Sequence, residues 1–460
     1  MDVPPSRCEQ RMLEKLESRA ARGLRRAIWP TYNHVDPQGA HTDSSSQAFL
    51  NAAASNSSAA RVDFASNDYL GVSTSCLQLH ERCANRYAEF VRAFRPRATD
   101  ERGEPAGCRL GAMNGSTGSR VLTGNSWHHE ALELRSAVFH DAPCALLFNS
   151  GYDANLALLS CVPASAIVYD ESVHASMHDG IRLSRASITR SFKHNCVDDL
   201  RAALRELRSE HACKDIVVVI ESLYSMSGDV APLKRILAAV NEHDADLVVD
   251  EAHAVGIYGD HGQGLCFERR VQTHPRLLAR VVTFGKAFGA QGAAVVPRSH
   301  LVREYLLNYA RPLVFSTSLA VPLVICLLET YEFMASSEAS QRRARLSVLS
   351  DYFDMHARSM KHVAWGPSGS GSPIKSAFMP GNDYCVRAAM FLRAGGYLVY
   401  AIRAPTVPEG SERIRVVLHA TNTVAEIDGL LRALDEFVQH SARPGLPATA
   451  SDVLNPRSKL

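Results

Sequence analysis

The sequence predicts an α/β protein: a large domain on a mostly parallel sheet, followed by a smaller α+β C-terminal domain. Three observations carry this. Short apolar runs that end in polar residues recur at 145–148, 166–170, 216–220 and 247–250, and such runs read as strands buried on both faces. Helical segments separate them, which is the βαβ rhythm of a parallel sheet. The chain has 460 residues, enough for one large domain and a smaller one.

Bulk properties narrow the function. Apolar residues make up 46% and charged residues 21%, as in soluble globular proteins. A net charge of +2 gives no electrostatic case for nucleic acid or an anionic membrane. The longest apolar stretch, 319–328, is broken by Pro322 and too short to span a bilayer. The 11 cysteines are scattered without CxxC or paired spacing, so they read as ordinary thiols of a reducing compartment, and no metal site is expected. The N-terminus lacks a continuous apolar core for secretion, and Asp2, Glu9, Glu14 and Glu17 argue against a mitochondrial presequence. The last residues are Ser458-Lys459-Leu460, a receptor-read peroxisomal address on a tail rich in Pro and Gly. Import into peroxisomes through that receptor is expected, with a cytoplasmic location otherwise.

The chemistry concentrates between residues 247 and 294. Leu247-Val248-Val249 ends in Asp250, with His253 close behind, at the carboxyl end of a strand where open α/β sheets carry their ligands. Val281-Val282-Thr283-Phe284 ends in Gly285-Lys286, and Gly289 and Gly292 allow close backbone approach. A lysine and an acid on two strand ends suit pyridoxal phosphate (PLP) chemistry, with the lysine as Schiff-base former and the acid on the pyridine nitrogen. From spacing alone, Asp250 reads equally well as a strand-end cap and Lys286 as a surface residue.

DEAHAVGIYGDHGQG and TFGKAFGAQGAA resemble the core motifs of the α-oxoamine synthases, which are fold-type-I PLP enzymes. The resemblance spans about residues 63–437 in several separate motifs. It implies a seven-stranded, mostly parallel sheet, PLP as cofactor and a homodimer with shared active sites. It also implies condensation of an amino acid, L-alanine, with an acyl-CoA, releasing CO₂ and CoA. Within it Lys286 is the Schiff-base lysine and α-proton acceptor, Asp250 faces the pyridine nitrogen and His253 the phenolic oxygen.

The remaining motifs follow in order. Apolar residues from Met12 to Leu24 recur at helical spacing, so residues 9–28 read as an amphipathic helix. By resemblance Arg25 at its end reaches the active site; otherwise it is a solvated helix-end arginine. Asp63 to Gly71 (DFASNDYLG) is similar to the family's entry motif, and residues 95–114 form a polar insertion expected to be a surface loop. A helix is expected over about 127–139. Asn149 to Asn155 forms a turn opening a helix whose N-terminus suits a phosphate, and Gly151 and Tyr152 carry over as cofactor contacts. His174 in SVHAS stacks on the pyridine ring by resemblance, although alone it reads as a helix-start residue. ESLYSMSGD resembles EGVFSMDGD with Ser227 replacing an acid; Ser225 lies near the cofactor and Glu221 orders the loop.

By the same resemblance Thr283 completes the cofactor set, and Thr317 in FSTS reaches the neighbouring subunit's phosphate. The resemblance also implies that Arg415 takes the amino-acid carboxylate, for which an arginine fork is suited, while Thr406 and Arg403 line the substrate site. Arg413 reads as a solvated strand residue. The expected divisions are 1–62 (helix and loop), 63–335 (PLP-binding domain), 336–440 (small domain) and 441–460 (flexible tail). Two other readings remain: a family member using another amino acid or a polyketide-like thioester, and a non-catalytic subunit. Lys286 and Asp250 argue against the latter.

Overall fold

The computed structural model describes residues 7–21, 61–93, 114–209 and 213–441. Arg25, most of the 95–114 insertion and Ser458-Lys459-Leu460 lie outside the described residues. The first helix is Arg7–Ala21, and the helix expected at 127–139 is Trp127–Phe139.

A short strand, β1 (Val62–Asp63), precedes a seven-stranded sheet. Its strands are β2 (Leu146–Phe148), β3 (Ala166–Asp170), β4 (Ile188–Phe192), β5 (Ile216–Glu221), β6 (Asp246–Asp250), β7 (Leu277–Thr283) and β8 (Ala293–Pro297). They run in the order β2-β8-β7-β6-β5-β3-β4. All pairs from β7 to β4 are parallel, while β8 is antiparallel to both neighbours. The sheet is therefore mostly parallel, as the sequence predicts. β5 and β7 are buried at every position because helices cover both faces. β8 turns back because residues 284–292 are too few for a crossover helix. Those same residues carry Lys286.

β7 starts four residues earlier than the apolar run at 281 suggests, because Arg280 hides the strand in the sequence. Arg280 is only 2% exposed; its Nη2 donates to the His140 carbonyl at 2.6 Å, and its Nη1 lies 3.8 Å from Glu251 Oε2. Glu251 also accepts from the Cys266 amide at 2.8 Å. A buried charge is tolerated only when paired and hydrogen-bonded. The pair therefore pins the chain immediately after Asp250.

The C-terminal part contains β9 (Ala364–Trp365), β10 (Ile374–Phe378), β11 (Tyr397–Leu398), β12 (Tyr400–Ile402) and β13 (Arg413–Val417). Four of these form an antiparallel sheet in the order β12-β13-β10-β9. The long helix Ser337–Ser359 leads into it, and Thr423 begins the last helix, Val424–His440, with a capping box. β1 pairs in parallel with β11, and the amides of Val417 and Ala420 donate to the carbonyls of Phe64 and Tyr69, each at 2.8 Å. The segment from 62 to 70 is thus stitched to the C-terminal sheet, and the division expected at 62/63 falls inside β1. Arg413 corrects an expectation: it is half-buried, with its guanidinium 4.8 Å from the Phe378 ring centroid rather than solvated. Cation–π contact on a neighbouring strand accounts for its place.

Gly228 joins the two parts. Its φ is +77°, its carbonyl accepts from the Gly369 amide at 2.8 Å, and a Cβ there would stand 2.1 Å from the Ile374 carbonyl oxygen. Neither the left-handed conformation nor the backbone contact tolerates a side chain. Gly228→Ala should cost roughly 2 kcal/mol or more of stability, read as a lowered denaturant midpoint; an unchanged midpoint would refute this account of the junction.

Candidate active site

Three adjacent strand ends build the site. Glu221 closes β5 and stands in register with Asp250, which closes β6; Asp250 in turn is level with Val281 on β7. β7 ends at Thr283, and Lys286 follows in the next turn, within reach of the Asp250, Glu221 and Arg415 charges. Thr283 shapes that turn, its Oγ1 donating to the Gly292 carbonyl at 3.2 Å and accepting from the Gly285 amide at 3.3 Å.

Asp250 is gripped from two sides. Asn155 Nδ2 donates to its Oδ2 at 2.7 Å and the Ala252 amide to its Oδ1 at 2.7 Å. Asn155 Nδ2 also reaches Ser176 Oγ at 3.1 Å, and Ser176 Oγ lies 2.8 Å from His174 Nδ1. His174 accepts from the Ser176 amide and so caps the helix Ala175–Leu183, which leaves the ring itself exposed. His174 is therefore both a helix-start residue and a site residue.

Electrostatics separate the ionisable groups. Burial pushes the Lys286 ammonium down from its ordinary range, Arg415 adds to this, and Asp250 and Glu221 only partly oppose it. Burial, reinforced by the Asp250 charge, pushes Glu221 up, so that this acid is held largely neutral. His253 is driven well below its usual range by burial and then by Lys286, Arg415 and His174. Such divergent shifts mark sites that transfer protons.

Arg415 reaches in from β13. Its Nε donates to the Ser225 carbonyl at 2.8 Å and its Nη2 to Asn67 Oδ1 at 3.0 Å. The loop after Glu221 is held instead by the Ser222 amide on the Asp250 carbonyl at 2.8 Å and the Tyr224 amide on the Asp229 carbonyl at 3.0 Å. Gly151 heads the helix Gly151–Cys161, where Ser150 caps by accepting from the Asp153 amide. The first helical amides lack intrahelical acceptors, and a Cβ at Gly151 would come 3.4 Å from Thr283 Cβ.

Three expected residues lie further out. Tyr152 is exposed, with its hydroxyl on Asp179 and its ring edge-on to His174 at 6.4 Å. Thr317 is exposed, its carbonyl accepting from Asn149 Nδ2 at 2.8 Å. Thr406 is exposed on the turn after β12, where its amide donates to the Arg403 carbonyl at 2.9 Å. β12 is the strand beside Arg415.

The residues fit PLP. Asn155 Oδ1 and Glu221 Oε1 are buried polar atoms without a partner at the strand ends, among the described residues. A fixed carboxylate, a desolvated lysine, a helix N-terminus and an exposed imidazole supply the donor set that a pyridine nitrogen, an aldehyde, a phosphate and a flat ring require. Among the described residues no group of His, Cys, Asp and Glu could hold a metal, and no helix is long and apolar enough to cross a membrane.

Sequence reasoning passed over Asn67, Tyr69 and Asn155 as site residues. Asn67 and Tyr69 sit inside the entry motif, which was a usable signal. Asn155 reaches Asp250 from a helix 95 positions away in the chain, which no local pattern reveals.

Fold and site together define a fold-type-I PLP-dependent enzyme. The chain belongs to the aminotransferase class I and II family, which it matches over residues 62–434. It is 37% identical over 395 residues to 8-amino-7-oxononanoate synthase of Emericella nidulans, covering 82% of this chain and 89% of that one. A serine palmitoyltransferase of S. paucimobilis, solved with a bound PLP–myriocin aldimine, superposes with a TM-score of 0.72 at 26% identity, covering 82% and 87% of the two chains. 8-Amino-7-oxononanoate synthase of Francisella tularensis superposes with a TM-score of 0.66 at 26% identity, covering 83% and 98%.

Behind the site, a charged network clamps the 222–230 loop. His194 Nδ1 lies 2.9 Å from Asp170 Oδ1 and its Nε2 2.8 Å from Asp229 Oδ2; Ser227 Oγ also donates to Asp229. An acid in place of Ser227 would put another carboxylate against Asp229. Burial opposes protonation of His194, yet the two aspartates overcome it and raise the imidazole to about 10. A histidine raised on folding stabilises fully below its unfolded value of 6.5, and that contribution is lost as pH rises through about 10. The stability gap between wild type and His194→Gln should be widest near about pH 6 and close toward about pH 10. Denaturant midpoints across that range test this; a gap independent of pH would show that His194 is not held charged.

Proposed function

We propose that this protein is an 8-amino-7-oxononanoate synthase, condensing L-alanine with pimeloyl-CoA to give 8-amino-7-oxononanoate, CoA and CO₂. The observation that carries it is the convergence of Lys286, Asp250 and Arg415 on one set of strand ends. The relative in Emericella nidulans at 37% identity supplies the particular reaction. Serine palmitoyltransferase fits the fold slightly better, with a TM-score of 0.72 against 0.66, but both solved structures are only 26% identical. Fold likeness is shared by many activities. Sequence identity therefore decides.

Bound at this site, PLP supplies an electron sink for the negative charge that develops on the alanine Cα. The residues do the rest. Arg415, oriented by Ser225 and Asn67, holds the alanine carboxylate with its free guanidinium edge. Lys286 Nζ, desolvated enough to lose its proton near neutral pH, takes the proton from Cα. Asp250, fixed by Asn155 and Ala252, would keep the pyridine nitrogen protonated. His253 would meet the phenolic oxygen and His174 the ring. The amides of Gly151 and Tyr152 and the Ser225 and Thr283 side chains would hold the phosphate. The new C–C bond forms to the thioester carbonyl as CoA thiolate leaves; the alanine carboxylate departs as CO₂, and the electron pair left at Cα takes back a proton from the Lys286 ammonium. Arg403 and Thr406 line the acyl side, and Arg25 belongs to the same proposal.

A homodimer and a peroxisomal location complete the reading. Leu122, Trp127 and Phe315 are exposed on the two segments that Ser318 joins through its hydrogen bonds to the Gly118 and Gly124 carbonyls, and they favour burial against a second copy, so that Thr317 reaches the partner's phosphate. Ser458-Lys459-Leu460 would take the enzyme to the organelle that shortens acyl-CoA chains.

A CoA-release assay over several amino acids and acyl-CoA lengths tests the reading, with L-alanine and pimeloyl-CoA expected to give the highest kcat/KM; a preference for serine with a long acyl chain would overturn it. Lys286→Ala should lose turnover and the visible absorbance of lysine-bound cofactor together. Asp250→Asn should fold and lose roughly a hundredfold or more in kcat, and a rate within a few-fold of wild type would remove Asp250 from the pyridine nitrogen. Arg415→Ala should raise KM for alanine far more than for the acyl-CoA; equal effects would assign Arg415 a structural role.

A further inference from the structure

The entry-motif tyrosine is fully buried and touches the site at one atom. Tyr69 OH lies 2.6 Å from His253 Nδ1 and 3.1 Å from Asn67 Oδ1. A phenol has one proton and can satisfy only one of these acceptors. If it goes to Asn67, Nδ1 must carry a hydrogen and donate to the Tyr69 oxygen, leaving Nε2 a bare lone pair. If it goes to His253, Nδ1 is the acceptor and Nε2 carries the hydrogen.

The surroundings decide between the two. Asn67 Oδ1 already accepts a charge-assisted hydrogen bond from Arg415 Nη2 at 3.0 Å, which is the stronger kind. The contact to His253 is the shorter by half an ångström. His253 is 6% exposed and ringed by Lys286, Arg415 and His174, all of which disfavour an imidazolium. Tyr69 is 0% exposed, faces Arg415 and Glu221 as well, and burial holds it as a neutral phenol, pushed up to about 12. Tyr258 is a further titratable neighbour.

We propose that Tyr69 is a positioning residue: its hydroxyl proton locks His253 in the Nε2–H tautomer, so that the ring presents a hydrogen-bond donor to the cofactor site. This rests on the PLP reading above. The orientation of a ring by a partner on its other nitrogen is a general device. Here it matters because a phenolic oxygen carrying negative charge needs a donor, and a histidine in the other tautomer would repel it.

The test has two parts. With ¹⁵N-labelled histidine, the wild-type apoprotein should show His253 protonated at Nε2 and unprotonated at Nδ1, assigned by the signal lost in His253→Gln. A hydrogen on Nδ1 overturns the proposal. In the holoenzyme, Tyr69→Phe keeps the ring and removes the proton. The midpoint at which the bound cofactor's visible absorbance titrates should rise by about one unit, because a phenolic oxygen without its donor holds the neighbouring proton more tightly. The variant's kcat should fall about tenfold, while KM for alanine stays within about twofold because Asn67 still holds Arg415. A normal titration midpoint in a variant of unchanged Tm overturns the proposal and leaves the PLP reading standing. Wild-type protein without any cofactor absorbance would defeat the reading itself. If Tyr69→Phe does not fold, the wild-type tautomer decides alone.

Discussion

The two hydrogen bonds that hold Asp250 organise the site. A carboxylate aimed at a bound ring must keep one orientation, and at a strand end nothing local enforces it. Asn155 supplies that constraint from the helix Gly151–Cys161, while the Ala252 amide supplies it from the chain itself. The same helix presents its N-terminus at Gly151, next to Thr283 on β7. One helix therefore sets the distance between the acid and the free amides of its own first turn. Through Ser176 it also places His174.

A second constraint comes from the C-terminal part. Arg415 belongs to β13, yet its two hydrogen-bond acceptors belong to other regions: Ser225 after β5 and Asn67 on the segment after β1. That segment is attached to the C-terminal sheet through β11, Val417 and Ala420. A displacement of the small sheet would thus move Arg415, Asn67 and Tyr69 together. The Arg415 guanidinium keeps its relation to His253 because Asn67 and Tyr69 link them.

Much of this was legible in the residues. The strand ends at 170, 221 and 250 stand out because apolar runs stop at acids, and that pattern follows from burial of a parallel sheet on both faces. Lys286 and His253 follow from the same punctuation. Legibility failed where an interaction crosses the fold. Arg280 breaks the apolar run of β7 because its charge is paired with Glu251, which sequence alone does not connect. Arg413 looked solvated because its Phe378 partner lies on another strand. Burial raises the Glu221 carboxyl most and its register with Asp250 adds to this, and both are properties of the sheet rather than of either segment.

Charge placement explains why the buried acids do not cancel the lysine. Three carboxylates, Asp170, Glu221 and Asp250, close adjacent strands β3, β5 and β6. Left ionised and unpaired together they would repel one another and hold Lys286 protonated. The fold gives each a different environment. Asp170 is joined to His194, whose second nitrogen meets Asp229. Asp250 receives an amide and an asparagine, whereas Glu221 has a buried oxygen with no partner and is kept largely neutral. With burial and Arg415 acting against the ammonium, Asp250 and Glu221 oppose the lowering of Lys286 only in part.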